Sequence, residues 1–562
     1  MVCWRKSSTA PPLSEQQLAD RRHKRGWLAY AFASEAFVIV SLTLFLPVAL
    51  EQYARDNGRA TPELVKPCTA SDVPSDAGCK VNLGGGWINT TSFSLYVNAS
   101  SVALQTLVVI SMGAIADRPY YRKRLLLGFA WLGALCTIIF FALPSSSKAW
   151  PLAIPLAILS NVGYGASFVS LNAYLPGIAA RDPAVLAAST NDPAIVEDLV
   201  PGDIHAPSVP DEEKTVGVAP TVASEKSTNE KDESGAAAAT VAPVLDTSVA
   251  PPSYSAALSR AMARTSAHGI ATGYGAGIAL LIISLIPVII LSGSTLALRI
   301  AIGMSGIWWA AGTVLTLLWL GTSERGDKPS VPREIVRAWV ELFSMLRPSE
   351  MKKLANTFKF LAAWFLLSDG LTTITATAIL FAKTTLHMPS TSLIALGALV
   401  PLAGICGTLL WPIIQRRFLH WSTKTMIVLL CSLASLLPLY GSIGIPLERK
   451  GVHGGGLTAS GEMYGAAVFF GLLYGAFQSY ARALFGEIIP PSEEARWFAL
   501  YSITDKSSSF VGPLIVGAIA DATGDIRWAF VFLFGMVLVA IPVLLSVNVR
   551  RGREDALRYQ RA

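Results

Sequence analysis

The stretch LQTLVVISMGAIADRPYYRKRLLLGFAWLG, Leu104 to Gly133, decides how the rest of the chain is read. An apolar run stops at a short turn carrying Asp117, Arg118, Arg122, Lys123 and Arg124, and a second apolar run follows at once. Crossing about 30 Å of hydrocarbon takes roughly 20 apolar residues in a helix. The stretch therefore predicts two membrane-spanning helices joined by a basic turn. Comparable runs lie near 27–50, 95–115, 125–143, 150–174, 268–292, 297–320, 358–382, 391–414, 425–444, 463–484, 498–520 and 528–548. The run at 498–520 is the most polar, because it holds Asp505, Lys506 and four serines. Composition agrees with a membrane protein: of 562 residues, 52% are hydrophobic and 15% charged. Soluble domains carry about 25% charged residues, so this chain cannot cover several soluble domains with water-facing surface.

The expectation is an all-α polytopic membrane protein with about twelve transmembrane helices in two six-helix halves. Segments divide as an N-tail (1–26), four helices with a polar loop at 51–94 (27–177), an acidic disordered segment (178–267), two helices (268–320), a basic linker (321–357), six helices (358–548) and a C-tail (549–562). Segment 178–267 carries 13 acidic and 6 basic residues and few large apolar ones, too few to offset chain entropy by burial. The linker predicts an amphipathic helix around 332–346. The polar N-terminus up to Gly26 speaks against a cleavable signal peptide. Counting alternate connections puts 33 Lys and Arg on one side and 8 on the other. That bias places both termini in the cytosol. The net charge of +7 thus reports orientation and is no sign of nucleic-acid binding. No GxxxxGK[ST] loop, metal-ligand spacing or nucleophile–base set is visible, which argues against an ATP-driven pump, a cofactor or an enzyme.

Gly113 to Arg124, GAIADRPYYRKR, resembles the GxxxD(R)xxxRR motif of the major facilitator superfamily. Gly113 permits close helix packing, Asp117 can face the positive end of a neighbouring helix, and Arg118 and Arg122 hold the turn in the cytosol. Further segments include RGWLAYAFASEAF from Arg25, NVGYGASFVSLNAYLP from Asn161, FLAAWFLLSDGLTTI from Phe360 and FGEIIPPSEEARWFALYSITDKSSSFVGP from Phe485. Together they resemble the fungal autophagy-related protein 22 family, described as vacuolar amino-acid effluxers. The resemblance covers nearly all of the membrane-embedded chain. It implies a major-facilitator fold, a vacuolar membrane location and export of amino acids such as leucine after autophagic breakdown.

Charges inside spans are costly and face a bundle interior or water. Glu35 in the first helix and Asp369 in the seventh lie at similar depth in helices that are equivalent in a six-plus-six repeat. Each reads as a proton-coupling carboxylate, as a counter-ion for a substrate ammonium group, or as an acid that ties helices together. Thr372 and Thr373 share a helical face with Asp369. Asn161, Tyr164 and Asn172 form a stripe in helix 4; Tyr474, Gln478 and Arg482 form one in helix 10. These stripes either line a solute cavity or make interhelical hydrogen bonds. Gly269, Gly273 and Gly277 predict close packing of helix 5. Asp505 and Lys506 are expected to pair with each other or with the Asp117 turn, as a cytosolic gate. Cys68 and Cys79 can pair if their loop faces an oxidising lumen. Cys136, Cys406 and Cys431, in apolar runs, read as packing residues. Asn89 and Asn98 begin N-x-[ST] sequons, Asn89 being the better glycosylation candidate.

These readings point to a secondary transporter exporting amino acids from the vacuole lumen by alternating access, with protons as a coupling ion. Alternatives are the same fold with another small solute, or a membrane scaffold whose 178–267 segment recruits protein partners.

Overall fold

The structure is a computed structural model and describes residues 15–70, 78–116, 118–189, 254–321, 330–449, 455–490 and 493–561. Twelve spans, α1–α12, account for the twelve apolar runs. The first half comprises α1 (Glu15–Asp56), α2 (Thr90–Ala116), α3 (Pro119–Ile139), α4 (Ala153–Asn172), α5 (Tyr254–Ile290) and α6 (Thr295–Trp319). The second comprises α7 (Ala355–Thr384), α8 (Ser390–Ile414), α9 (Thr423–Arg449), α10 (Ser460–Glu487), a two-part α11 (Glu494–Ser508 and Val511–Thr523) and α12 (Trp528–Leu545). Ten of the described helices are long and apolar enough to cross a membrane. The other two spans are α10, diluted by glycine, tyrosine and Gln478, and the broken α11.

Helix neighbours repeat between the halves. In the first, α1 packs on α6, α2 on α4, and α3 on both α4 and α6. In the second, α7 packs on α12, α8 on α10, and α9 on both α10 and α12. Each pair shifts by six helices, as a duplicated plan requires. Apolar residues are distributed inside-out: Ile282, Ile286, Ile289 and Ile290 on α5 are all more than half exposed. Its small face, Gly269, Gly273 and Gly277, lies against Trp27, Glu35 and Ile39 of α1.

Two spans depart from a regular helix, each for a local reason. Pro47 has no N–H to give the carbonyl of Thr43, and the preceding turns, Val38–Phe45, relax into a π-helix. Pro513 likewise cannot bond the carbonyl of Ser509, and α11 breaks at Ser509 and Phe510.

Several boundaries differ from the sequence expectation. The segment expected to be disordered from 178 is helical at both ends, at Pro183–Ser189 and from Tyr254, because Ala-rich ends favour helix. The loop at 51–94 is partly ordered: β1 (Arg59–Ala60), β2 (Cys79–Leu83) and β3 (Gly86–Asn89) form an antiparallel sheet in the order β1-β2-β3. A Cys68–Cys79 disulfide joins this loop. Cys136 and Cys431 are buried, but Cys406 is exposed on α8 and is no core residue.

The halves meet on the loop side of the bundle, the side of the disulfide. There Leu44 of α1 lies against Gly397 of α8, and Tyr96 of α2 against Gly517 of α11. The Asn89 amide donates to Asp521 at 3.0 Å, and Ser390 donates to the Gly293 carbonyl at 3.4 Å. On the opposite, terminal side the linker helix Val331–Met345 packs on α2. Its Glu334 pairs with Arg118 at 2.9 Å, and its Glu341 approaches Arg496 of α11 at 3.8 Å.

Candidate functional site

Glu35 sits halfway along α1, three residues before the π-helical turns begin, and is half-buried. Its packing face comes from α5, where a side chain at Gly273 would run into the Glu35 Cβ and Cγ. Tyr164 of α4 donates to Glu35 Oε1 over a long 3.5 Å. Aromatic packing positions that tyrosine: Phe168 stacks on it at 5.6 Å, and Phe37 and Trp309 flank it at 6.2 and 6.5 Å. Tyr30, fully buried, accepts from Trp309 Nε1 at 3.2 Å. The first half thus offers a carboxylate on a rigid aromatic wall, without a cation in direct contact.

Cations that act on Glu35 come from the second half: Lys506 of α11 and Arg482 of α10. Lys506 is already paired with Asp505 at 3.6 Å. Arg482 is exposed and enters no ion pair among the described residues. Its electrostatic neighbours include Tyr274 of α5 and Tyr501 of α11. Gln478 donates to the Tyr474 hydroxyl at 3.1 Å, completing a polar stripe on α10. Behind it Trp364 of α7 is sandwiched between Phe477 at 5.5 Å and Tyr501 at 4.5 Å. Trp364 Nε1 is buried with no hydrogen-bond partner. The buried Tyr501 hydroxyl has no acceptor either, since the Arg482 guanidinium beside it can only donate. Buried donors are nearly always paired, so two without acceptors in one stack mark a place where an acceptor belongs.

Asp369 lies elsewhere. It is fully buried, and both carboxylate oxygens are used: Gly512 N donates to Oδ2 at 2.8 Å and Thr373 to Oδ1 at 3.2 Å. Gly512 opens the second part of α11, so Asp369 places negative charge at a helix N-terminus. Adjacent Ser368 donates to Asp505 on the first part of α11. Ser368 and Asp369 therefore hold both sides of the α11 break. The two acids that sequence symmetry paired have different surroundings: Glu35 faces the space between the halves, whereas Asp369 braces a hinge.

The Vacuole effluxer Atg22 like family profile matches residues 19–557. Autophagy-related protein 22 of Cryptococcus neoformans is 40% identical over 96% of this chain and 96% of its own. Autophagy-related protein 22-1 of Penicillium rubens is 37% identical over 97% and 93%. The chain belongs to the Vacuole effluxer Atg22 like family. Solved structures extend the likeness in fold alone. A bacterial homologue of the iron transporter ferroportin in an inward-facing state superposes with a TM-score of 0.53 at 13% identity, covering 95% of this chain and 99% of that one. The POT family transporter PepTSo also gives 0.53, at 10% identity over 94% and 98%. This Atg22-like chain thus has a polytopic all-α fold like that of these transporters.

Other residues singled out in this Atg22-like chain fall into three groups. Asn161 is a helix tie: its Nδ2 donates to Ser101 at 2.8 Å, and its carbonyl accepts from Gln105 at 2.8 Å. Asn172 and Thr372 are exposed, and among the described residues neither is hydrogen-bonded to Tyr164 or Asp369. Asp117 lies outside the described residues. Within the same motif, Arg118 pairs with the linker helix, and Arg122 donates to the Ala116 carbonyl and lies over the Tyr174 ring at 5.2 Å. A side chain at Gly113 would meet open space, so close packing there is not what the glycine serves. Asn89 accepts from the Thr91 amide as α2 begins, and Thr91 is buried, a cramped place for a glycan.

Sequence reasoning passed over Tyr274 and Tyr501. Tyr274 stands between Gly273 and Gly275, where the glycines drew the reading; Tyr501 is one apolar-looking position in the most polar run. It also passed over Glu51, assigned to a loop. Glu51 is buried in the loop-side end of α1, accepts from Thr90 at 3.3 Å, and has Lys383 of α7 as an electrostatic neighbour across the halves.

Proposed function

We propose that this chain exports amino acids such as leucine from the vacuole lumen to the cytosol by alternating access. The observation that supports it is that a half-buried carboxylate from the first half, Glu35, lies within electrostatic reach of an exposed guanidinium from the second, Arg482, without an ion pair between them. A solute that engages groups on both halves couples its own binding to their rocking. With both termini in the cytosol, as the basic bias implies, the loop side, where Leu44 lies against Gly397 and Asn89 bonds Asp521, faces the lumen. The family description, a vacuole effluxer, and the autophagy-related names of the relatives support the compartment and the role.

Coupling to protons is assigned to Asp369. A proton there cancels the charge facing Gly512 N and weakens a charge-assisted bond of about 1.5–3 kcal/mol, which frees the α11 break to bend. Counter-flow of labelled leucine in proteoliposomes, with and without an imposed pH gradient, is the test. Wild type should move leucine faster with the lumen-equivalent side acidic, and Asp369→Asn should move it at a rate indifferent to the gradient. No leucine counter-flow by wild type would remove the export reading. A gradient effect that survives in Asp369→Asn would remove Asp369 as the proton carrier and leave export standing.

A further inference from the structure

Four charged side chains lie around the space between the halves, two of each sign: Lys506 and Arg482 act electrostatically on Glu35, and Asp505 pairs with Lys506. Two of them, Asp505 and Lys506, satisfy each other, and Asp505 also accepts from Ser368. One acid and one base remain: Glu35 on the first half and Arg482 on the second. Glu35 has only the long contact from Tyr164. Arg482 has no carboxylate partner among the described residues. Beside Arg482, the Trp364–Tyr501 stack holds two more donors that lack acceptors. Donors without acceptors call for an anionic group; a carboxylate without strong donors calls for a cationic one. The site is therefore polarised, short of an anion on the second half and of a cation on the first.

We infer that the site takes a zwitterion in one fixed orientation, its carboxylate on Arg482 and the Tyr501 hydroxyl, its ammonium group on Glu35. This rests on the amino-acid reading and sharpens it. An α-amino acid carries both groups on one carbon and can reach both halves at once. An amine or a carboxylic acid engages one half alone and leaves a charge of the protein without its partner. Sugars lack both charges. The solute is thus the missing bridge between the halves, and its two charges are the specificity determinants. Arg482 and Tyr501 fix the carboxylate, and Glu35, oriented by Tyr164, fixes the amine. Side-chain preference is left to the apolar and aromatic walls, which accept a range of neutral amino acids.

The test is competition against labelled leucine counter-flow in proteoliposomes holding the full chain. Competitors are leucine, leucinol (no carboxylate) and 4-methylpentanoate (no ammonium). Each truncated compound should compete about ten- to a hundredfold more weakly than leucine with wild type, the effect of one lost charge-assisted bond. In Arg482→Gln, leucine should fall to the level of leucinol; in Glu35→Gln, to the level of 4-methylpentanoate. Arg482→Lys should recover part of the preference over leucinol. Tyr501→Phe should weaken leucine severalfold without changing leucinol, a readout that general damage to the fold would not produce. Leucinol competing as well as leucine with wild type would overturn the orientation while leaving amino-acid export intact. So would an Arg482→Gln protein that keeps the wild-type ratio. Absence of any leucine flux in wild type would overturn the reading on which it rests.

Discussion

Gly512 leaves no room for a side chain, because a Cβ there would collide with Thr373 Oγ1 and lie 2.7 Å from Asp369 Oδ1. Gly512→Ala is expected to displace that carboxylate and cost about 1–3 kcal/mol, the usual penalty for overpacking. Gly535 of α12 meets nothing within 4 Å, and Gly535→Ala should leave stability unchanged or slightly raised. Thermal melts of the two detergent-purified variants compare them directly, and equal melting temperatures would contradict the close fit at Gly512. The same position bears on transport: if Asp369 and Gly512 clasp a moving break, Gly512→Ala should also slow leucine counter-flow. At this scale the sequence marked Asp369 as unusual, since lipid excludes a charge without a use. It did not reveal the partner amide, 143 positions away.

Helix α5 touches α1 through small residues, and the contact is specific by register. Gly273 faces Glu35, while Gly275 faces open space. Gly273→Val is expected to push Glu35 off Tyr164 and lower leucine counter-flow at least tenfold, with Gly275→Val near wild type. Similar losses in both would mean that α5 is disturbed as a whole and that the Glu35 contact is not specific. The linker helix offers a second element-scale test. Glu334 is 8% exposed and leans on Arg118 at 2.9 Å, with Arg337 more distant at 4.0 Å. Arg118→Ala leaves a nearly buried carboxylate with one distant cation, a loss on the order of 1–3 kcal/mol. Backbone amides of Val331–Met345 should then exchange hydrogen about tenfold or more faster, while α2 is unaffected. Unchanged exchange would show that apolar contacts such as Leu342 and Met345 hold the helix alone. The twelve spans and the linker helix were legible as sequence, because runs of apolar residues and amphipathic spacing are local signals. The break in α11 was legible only in part: Pro513 marks a helix fault, but the acid that stabilises the fault sits on another helix.

The two halves seal against each other on the loop side, with Leu44 against Gly397 among the closest approaches. Cysteines at both positions should cross-link under mild oxidant and arrest leucine counter-flow, with reduction restoring it, because alternating access requires this seam to part. A cross-linked protein that still transports would rule out opening at this seam. Glu51 is under the electrostatic influence of Arg55 on its own helix and of Lys383 across the halves, so Glu51→Gln should weaken the seal and raise cysteine labelling at a single Leu44→Cys site. By itself the sequence determined a twelve-helix membrane body, its duplicated plan, its linker and its family, because hydrophobic length, loop charge and ordered sequence blocks survive without contacts. It also placed Glu35 and Asp369 under suspicion. Only tertiary structure decided that Glu35 comes under the influence of Arg482 and Lys506 of the other half, while Asp369 is bonded to the break in α11. Those roles depend on which side chains from distant helices come within bonding reach, and that distance is set by packing, not by position along the chain.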